Sequence, residues 1–327
     1  MLLLIASCAP QCGLLGDHGP PRGEVLRDND ALDLDRALKL GRRGKPETAR
    51  AYLCALRERC PDSFRVQRAL QDLLLEAGPA GEAELAKEHY DTLPEDSAFH
   101  LTLKARFLTR PEDQQALLRR ALELDPQFVW ALLGLALNER RADNLEAARD
   151  QLLRALDVWD EFPEALRDLA EVEDALGDYE DARGRYERYL RIRPADRDAR
   201  FDYAVLLWTA LGHAAEADVQ FSVLLQQNAG DLDALAWHAN MLTYEQRYPQ
   251  AIELYEQVVA QDARRPNIYY NLGWIYEAMH DDQKALEYYT RFLNADVGDT
   301  ETRSVFDLLF FVPSRIHALL ARSGSKG

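Results

Sequence analysis

The sequence predicts an all-α fold in which helical hairpins stack one on another, and three observations support it. First, a unit of about 34 residues recurs along the chain, a period typical of repeat proteins. Second, small residues recur at two fixed positions of the unit, and aromatic or apolar residues recur at three others. Third, each half of the unit is too short to be a stable helix alone in water, so its helices must gain stability by packing together.

The last unit shows the template most completely. Counted from Pro266 as position 1, the residues at positions 4, 7, 8, 11, 20 and 24 are Tyr269, Leu272, Gly273, Tyr276, Ala285 and Tyr289. This pattern resembles the tetratricopeptide repeat. The resemblance implies a right-handed α-α superhelix whose first helices line a concave face, and it implies that this face holds protein or peptide partners.

The same register extends upstream through most of the chain. Units begin near residues 30, 64, 96, 127, 163, 198, 232 and 266, which predicts an array of seven to eight hairpins over residues 30–299. The last four units share one template, whereas the units from 64 and 96 are weaker and the first helix near 30 fits poorly. Gly177 and Gly212 stand where a helix must end and the chain reverse.

Residues 300–327 follow the last unit. They contain an apolar run from Val305 to Val312, which Pro313 breaks. Because the terminal elements of a solenoid must cover its exposed ends, the sequence predicts a capping helix in this segment. The alternative is a helix that docks a partner.

Residues 1–29 contain Gly and Pro throughout and lack the repeat pattern, which predicts a leader and a flexible tether. The segment Ile5-Ala6-Ser7-Cys8 resembles the bacterial lipobox, in which an aliphatic residue and two small ones precede the Cys that receives lipid. The resemblance implies anchoring through Cys8 on the periplasmic side of the cell envelope. The segment departs from a secretory signal because no Lys or Arg precedes its apolar stretch of about six residues. A cytoplasmic protein without lipid is the alternative.

The composition narrows the class of partner. A net charge of −17 argues against a nucleic-acid backbone as the main partner and suits a basic peptide better. The sequence also lacks an apolar run of about 18 residues, so it predicts no membrane-spanning helix. Cys54 and Cys60 could form a disulfide, but two free thiols are the favoured interpretation.

No sequence motif points to catalysis, a cofactor or a metal. The seven histidines lack metal-binding spacing, and the glycine clusters lack the order that cradles a phosphate. There is no GxSxG segment to hold a nucleophile. The sequence therefore predicts a protein that is not an enzyme.

The resemblance assigns positions 2, 5, 9, 12 and 13 of each unit to the concave face. In the middle of the chain these positions are mostly charged: Glu164, Arg167, Glu171, Asp174, Asp202 and Asp233. A negative surface there would attract a segment that carries Lys or Arg. The alternative is that these charges only keep the array soluble.

Toward the carboxyl end, amide and aromatic groups replace charge on the concave face. The residues concerned are Asn240, Tyr244, Tyr270, Asn271 and Trp274. Asn240 and Asn271 resemble the asparagine pair with which peptide-binding members of the family hold a ligand's main chain, since an amide can donate and accept at once. Tyr270 and Trp274 could pack against an apolar anchor of a peptide or against the C-terminal helix.

The carboxylate clamp of chaperone-binding members is incomplete in this chain. It needs Lys at position 5, where Ala236 stands, and Lys and Arg where Glu301 and Val305 fall. The sequence as a whole predicts a scaffold that binds protein or peptide partners, lipid-anchored as an assembly factor of a bacterial cell envelope. A cytoplasmic adaptor with the same groove is the alternative.

Overall fold

A computed structural model describes residues 26–77, 87–88, 90–295 and 303–324. For residues 28, 76–77, 303–310 and 323–324 it describes the backbone alone. Cys8 and Glu301, on which two of the sequence predictions depend, lie outside the described residues, and so does the side chain of Val305.

Sixteen α-helices of eight residues or more lie within the described residues, and no strand occurs among them. The helices are α1 (Asp28–Arg42), α2 (Pro46–Arg59), α3 (Phe64–Ala77), α4 (Ala98–Ala105), α5 (Pro111–Leu124), α6 (Val129–Arg141), α7 (Leu145–Val158), α8 (Pro163–Leu176), α9 (Tyr179–Ile192), α10 (Arg197–Thr209), α11 (Ala214–Gln227), α12 (Leu232–Tyr244), α13 (Tyr248–Gln261), α14 (Pro266–Ala278), α15 (Asp282–Asn294) and α16 (Arg303–Gly324). The predicted all-α class is confirmed.

Consecutive helices pair into hairpins, as the repeat predicts. The pairs are α1 with α2, α4 with α5, α6 with α7, α8 with α9, α10 with α11, α12 with α13, and α14 with α15. The first hairpin forms although its first helix fits the template poorly, because Leu34 and Ala37 of α1 are buried against Leu53 and Leu56 of α2. Apolar burial therefore compensates there for an incomplete template.

The sequence marks where helices begin. Proline opens α2, α5, α8 and α14, at a position whose missing N–H costs no helical hydrogen bond. The carboxylates of Asp196, Asp231 and Asp281 accept a hydrogen bond from the backbone N–H three residues later, each at 3.1 Å. These caps satisfy donors that a helix otherwise leaves unpaired at its amino end.

The turn inside six of the seven hairpins has one residue in the left-handed conformation. Gly44, Gly177 and Gly212 take this role with φ of 69°, 87° and 69°. Other hairpins place Asp143, Gln246 or His280 there, with φ of 63°, 58° and 61°. A side chain is strained in this conformation because its Cβ approaches the following carbonyl, and glycine has no Cβ.

We expect Gln246→Gly to raise the free energy of unfolding by up to about 1 kcal/mol, because it removes this strain from an exposed turn. Denaturant unfolding followed by circular dichroism measures the change. A matched Gly177→Ala variant, which introduces the strain, should lower stability. A loss of stability in Gln246→Gly would contradict this account of the turn.

Small residues let the two helices of a hairpin approach closely. In the last hairpin a Cβ built on Gly273 would lie 2.6 Å from Cδ1 of Tyr289, and both Tyr289 and Ala285 have no exposed surface. Tyr186 and Tyr255, at the same repeat position as Tyr289, are also buried. Aromatic rings at this position thus fill the interior, and small residues opposite them make the room.

The chain divides into two compact units, residues 1–195 and 196–327. Helices α1 to α9 belong to the first unit, and helices α10 to α16 belong to the second. Each unit is described by itself below. None of the described helices is both long enough and apolar enough to cross a bilayer.

Helix α16 covers the last hairpin of the second unit, as a capping helix should. Val312 and Leu319 are fully buried, and the helix packs against α15. Pro313, which ends the apolar run in the sequence, lies inside α16. Proline removes one backbone donor from the ladder, and burial of the apolar residues on either side of it offsets that loss.

Candidate functional site

Most of the acidic residues of α8 in the first unit are paired with arginines. Glu164 Oε2 lies 3.4 Å from Nη2 of Arg65, and Asp168 Oδ1 lies 3.3 Å from Nη1 of Arg140. Glu171 forms ion pairs with both Arg140 and Arg167. Guanidinium groups from α3, α6 and α8 therefore offset much of the charge of these three carboxylates.

Residues at the amino end of α3 take part in these ion pairs and contact aromatic rings of later hairpins. Phe64 stacks on Trp130 with ring centroids 4.9 Å apart, and Trp130 meets Phe162 at 4.8 Å. The guanidinium of Arg65 lies over the ring of Trp159, 5.4 Å from its centroid. Since Arg65 and Glu164 are 99 residues apart, these contacts tie together hairpins that are not neighbours in the sequence.

Two carboxyl groups of α8 have altered acidity. Burial raises the pKa of Asp168 to about 6 because it strips water from the charged form, and Glu171 adds to the shift while Arg140 opposes it. Burial also raises the pKa of Asp174, whose side chain forms no hydrogen bond or ion pair with the described residues. Asp202, which belongs to the second unit, is half-buried.

The pKa of Asp168 predicts a specific pH dependence. Below about pH 4 the carboxyl of Asp168 is protonated in both the folded and the unfolded chain. Between about pH 4 and 6 the unfolded chain has lost this proton while the folded chain keeps it, so the free energy of unfolding falls as pH rises. We expect Asp168→Asn to gain up to about 3 kcal/mol over the parent protein between pH 4 and pH 7. Denaturant unfolding at pH 4, 5, 6 and 7 measures this difference. A stability difference independent of pH would contradict the assignment, and Asp150→Asn, at an exposed position, is the control.

In the second unit, charged residues gather at the amino ends of the first helices. Arg197 donates two hydrogen bonds to Asp231, from Nη2 to Oδ1 at 2.7 Å and from Nε to Oδ2 at 2.8 Å. This pairing holds the pKa of Asp231 below its usual range. Asp233 accepts a hydrogen bond from Nη1 of Arg265 at 3.2 Å. These bonds join α10, α12 and the segment before α14.

The predicted asparagine pair forms a hydrogen-bonded network with a buried tyrosine. Asn271 Nδ2 donates to Asn240 Oδ1 at 3.0 Å and to the Tyr255 hydroxyl at 3.1 Å. The hydroxyl of Tyr255 donates to Asn240 Oδ1 at 2.5 Å, and burial raises the pKa of Tyr255 to about 12. One polar atom of each amide, Oδ1 of Asn240 and Nδ2 of Asn271, is therefore already hydrogen-bonded within the protein. The sequence did not predict this.

Aromatic rings lie beside the asparagine network at the carboxyl end of α12. Trp208 contacts Trp237 and Tyr244, with ring centroids 6.0 and 6.5 Å apart, and Tyr248 contacts Trp274 at 6.2 Å. Tyr244 is 77% exposed. Tyr244 thus lies in an aromatic cluster on the α10 and α12 hairpins, and Trp274 lies in a ring pair between the α12 and α14 hairpins.

Tyr270 lies toward the capped end of the second unit. Its ring contacts Tyr289 and Phe292 of its own hairpin, each at 5.9 Å. Nearby Glu277 accepts hydrogen bonds from Arg315 at 2.9 Å and from Arg322 at 3.1 Å, both on α16. The cap therefore occupies this part of the last hairpin.

Family models match several stretches of the chain. One described as TPR repeat matches residues 239–279, and three described as Tetratricopeptide repeat match residues 127–195, 167–231 and 268–303. This chain is a tetratricopeptide-repeat protein. Curated proteins give no significant match to its sequence.

Solved structures share the fold of this tetratricopeptide-repeat protein at low identity. The Cut9–Hcn1 hetero-tetramer of APC/C is 16% identical with a TM-score of 0.57, over 86% of this chain and 55% of that one. YrrB, described as a TPR protein with an unusual peptide-binding site, is 20% identical with a TM-score of 0.49, over 54% and 91%. PilF of Pseudomonas aeruginosa is 18% identical with a TM-score of 0.48, over 65% and 92%. Of these similarities, only the one to the Cut9–Hcn1 structure supports the fold class, and it supports no function.

Some residues on the inner faces of this tetratricopeptide-repeat protein were missed by sequence reasoning. Arg65 stands at position 2 of the unit from residue 64, so applying the concave positions to the weaker units would have found it. Arg140, Trp237 and Tyr248 stand outside the five concave positions of their units, and Trp208 stands at position 11, which the template assigns to packing. The partial exposure of these side chains depends on the offset between adjacent hairpins. The residue pattern of a single unit does not determine that offset.

Cys54 and Cys60 are free thiols, in agreement with the favoured interpretation. Cys60 Sγ lies 3.7 Å from Oδ2 of Asp30, and burial raises the pKa of its thiol. Among the described residues, no group of three or more His, Cys, Asp and Glu side chains is arranged to hold a metal ion.

Proposed function

We propose that this protein is a non-enzymatic scaffold that binds an extended segment of a protein partner along the inner face of its second unit. The observation that carries the proposal is the network of Asn240, Tyr255 and Asn271. It uses Oδ1 of Asn240 and Nδ2 of Asn271, and it leaves Nδ2 of Asn240 and Oδ1 of Asn271 for a ligand. One donor and one acceptor on adjacent hairpins match the N–H and C=O of a peptide backbone.

The network also fixes the orientation of both amides before a partner arrives. Tyr255 has no exposed surface, so its hydroxyl holds the amides from inside the hairpin. A side chain already ordered by internal hydrogen bonds loses little conformational freedom on binding. The half-buried position of both asparagines keeps their outer groups within reach of a ligand.

Substitution of the network tests the proposal. We expect Asn240→Ala with Asn271→Ala to weaken partner capture at least 10-fold, and to lower stability by about 1–3 kcal/mol because the Tyr255 hydroxyl loses its partners. Adding Tyr255→Phe removes that unpaired hydroxyl and should restore much of the stability without restoring capture. Quantitative affinity capture from native lysate and denaturant unfolding give the two readouts.

Tyr255→Phe alone is the matched control. It leaves the hydrogen bond from Asn271 Nδ2 to Asn240 Oδ1 in place, so partner capture should persist. If the triple variant folds and still captures partners as the parent does, the binding face lies elsewhere and the proposal fails.

We further propose that Cys8 carries lipid and anchors the scaffold on the periplasmic side of a bacterial cell envelope, where it would serve assembly. The support is the likeness of Ile5-Ala6-Ser7-Cys8 to a lipobox. Metabolic labelling with an alkyne fatty acid should mark the parent protein and not Cys8→Ala. An unmodified Met1 on the mature protein, measured by mass spectrometry, would contradict the anchor and favour the cytoplasmic alternative.

A further inference from the structure

Three kinds of side chain follow one another along a single face of α12. Asp233, Asn240 and Tyr244 are separated by seven and four residues, spacings that place side chains on the same side of a helix. Each has cross-hairpin partners of its own: Asp233 pairs with Arg265, Asn240 with Asn271, and Tyr244 with Trp208. The inner face of the second unit therefore has a charged end, an amide centre and an aromatic end.

The charged end has an excess of carboxylates. Four carboxylates and three guanidinium groups are linked there by ion pairs: Asp198, Asp231, Asp233, Asp262, Arg197, Arg264 and Arg265. Asp231 is buried by its bidentate pairing with Arg197, whereas the side chains of Asp198 and Asp233 remain 67% and 57% exposed. This end of the face is complementary to a positively charged group of a partner.

The aromatic end offers edges and faces of several rings. The Trp208 and Tyr244 rings meet at 67°, and the Tyr248 and Trp274 rings meet at 76°. Aromatic rings prefer such edge-to-face contacts, and a further ring can join the group in the same way. Because Tyr244 is largely exposed, the group has surface left to bury against a partner.

The separation of the two ends sets the spacing of the partner's residues. Asp233 and Tyr244 are 11 residues apart on α12, which corresponds to about 16 Å at about 1.5 Å per residue. An extended chain covers this distance in about five residues at roughly 3.3 Å each. The amide centre lies between the two ends and would hold the main chain of that stretch.

We propose that the partner segment is an extended peptide in which a Lys or Arg stands about five residues from an aromatic residue, the basic group at the Asp233 end and the ring at the Tyr244 end. This inference rests on the proposed function, since it names the chemistry of the segment that the same face binds. It also places the carboxylates that attract the basic group at the amino ends of α10 and α12. Those of α8 are offset by arginines.

A peptide series tests the spacing. Fluorescein-labelled Gly-Ser peptides with one Arg and one Trp separated by one to nine positions would be titrated with the full chain, and anisotropy would give each Kd. We expect the tightest binding at separations of four to six positions, at least 5-fold tighter than at one or nine. Reversing the positions of Arg and Trp tests direction without changing composition.

Matched variants identify which end binds which residue. Asp233→Asn should weaken the best peptide at least 3-fold and leave an Arg-to-Gln peptide unaffected, while Tyr244→Ala should weaken both. Asp150→Asn and Tyr179→Ala, at exposed positions of the first unit, should change neither. Circular dichroism confirms that each variant is folded.

Three results would overturn the inference. Affinities that are equal at all separations, or unchanged by Asp233→Asn, would exclude the spacing and the charge assignment while leaving the scaffold function intact. No binding by any peptide of the series would also overturn it. Failure of the proposed function is recognised separately, by unaltered capture in the variant that lacks Asn240, Asn271 and the Tyr255 hydroxyl.

Discussion

Gly273→Leu is expected to lower the free energy of unfolding of the second unit by about 3 kcal/mol, the upper part of the range for overpacking. Even a single Cβ at this position would lie 2.6 Å from Cδ1 and 2.7 Å from Cε1 of the Tyr289 ring. The ring cannot turn away easily, because its hydroxyl donates to Glu277 Oε2 at 2.9 Å and Arg315 holds the same carboxylate. A leucine side chain therefore fits only if α14 and α15 move apart.

Gly184→Leu is the matched control for this prediction. Gly184 lies inside α9, and a Cβ built there meets no atom within 4 Å. Leucine favours the helix over glycine by roughly 1 kcal/mol, so this variant should be neutral or more stable. Denaturant unfolding with hydrogen exchange at the α14 amides measures both variants. An unchanged midpoint for Gly273→Leu would contradict the packing described for the last hairpin.

Phe64→Ala is expected to cost about 3–5 kcal/mol, the range for truncating a buried phenylalanine. Phe64 is 2% exposed, and its ring contacts Phe99, Phe128 and Trp130 at centroid distances of 5.7, 5.8 and 4.9 Å. Removing the ring leaves a cavity among three aromatic neighbours and frees the amino end of α3.

Leu75→Ala, on the same helix, controls for the loss of an apolar side chain. Leu75 is 47% exposed, so its truncation should change stability by no more than about 0.5 kcal/mol. Tryptophan fluorescence during urea unfolding reports on Trp130 directly. A cost below about 1 kcal/mol for Phe64→Ala would show that α3 does not pack across the later hairpins as described.

Sequence periodicity predicted the hairpins because the repeat is local. Positions such as Gly273 and Ala285 face each other within one hairpin, so a pattern over about 34 residues is enough to place them. Turn glycines such as Gly177 were predictable for the same reason. Gln246 at the equivalent turn position was not, since its side chain does not favour a left-handed backbone.

Contacts between distant hairpins were not predictable from the repeat. The pairing of Arg65 with Glu164 depends on the curvature of the first unit, which is set by many small offsets between helices. Likewise the sequence identified Asn240 and Asn271 as a pair but did not show that Tyr255 binds both. Repeat position could therefore suggest which residues form the candidate site, while the hydrogen bonds among them required the structure.

Site-specific photo-crosslinking tests the central claim most directly. A benzoylphenylalanine placed at Tyr244, which is 77% exposed near the end of α12, should capture a partner on irradiation of native lysate. The same residue placed at Tyr179, which is 39% exposed in the first unit, should not. Crosslinks from Tyr179 alone, or in equal yield from both positions, would contradict partner binding on the inner face of the second unit.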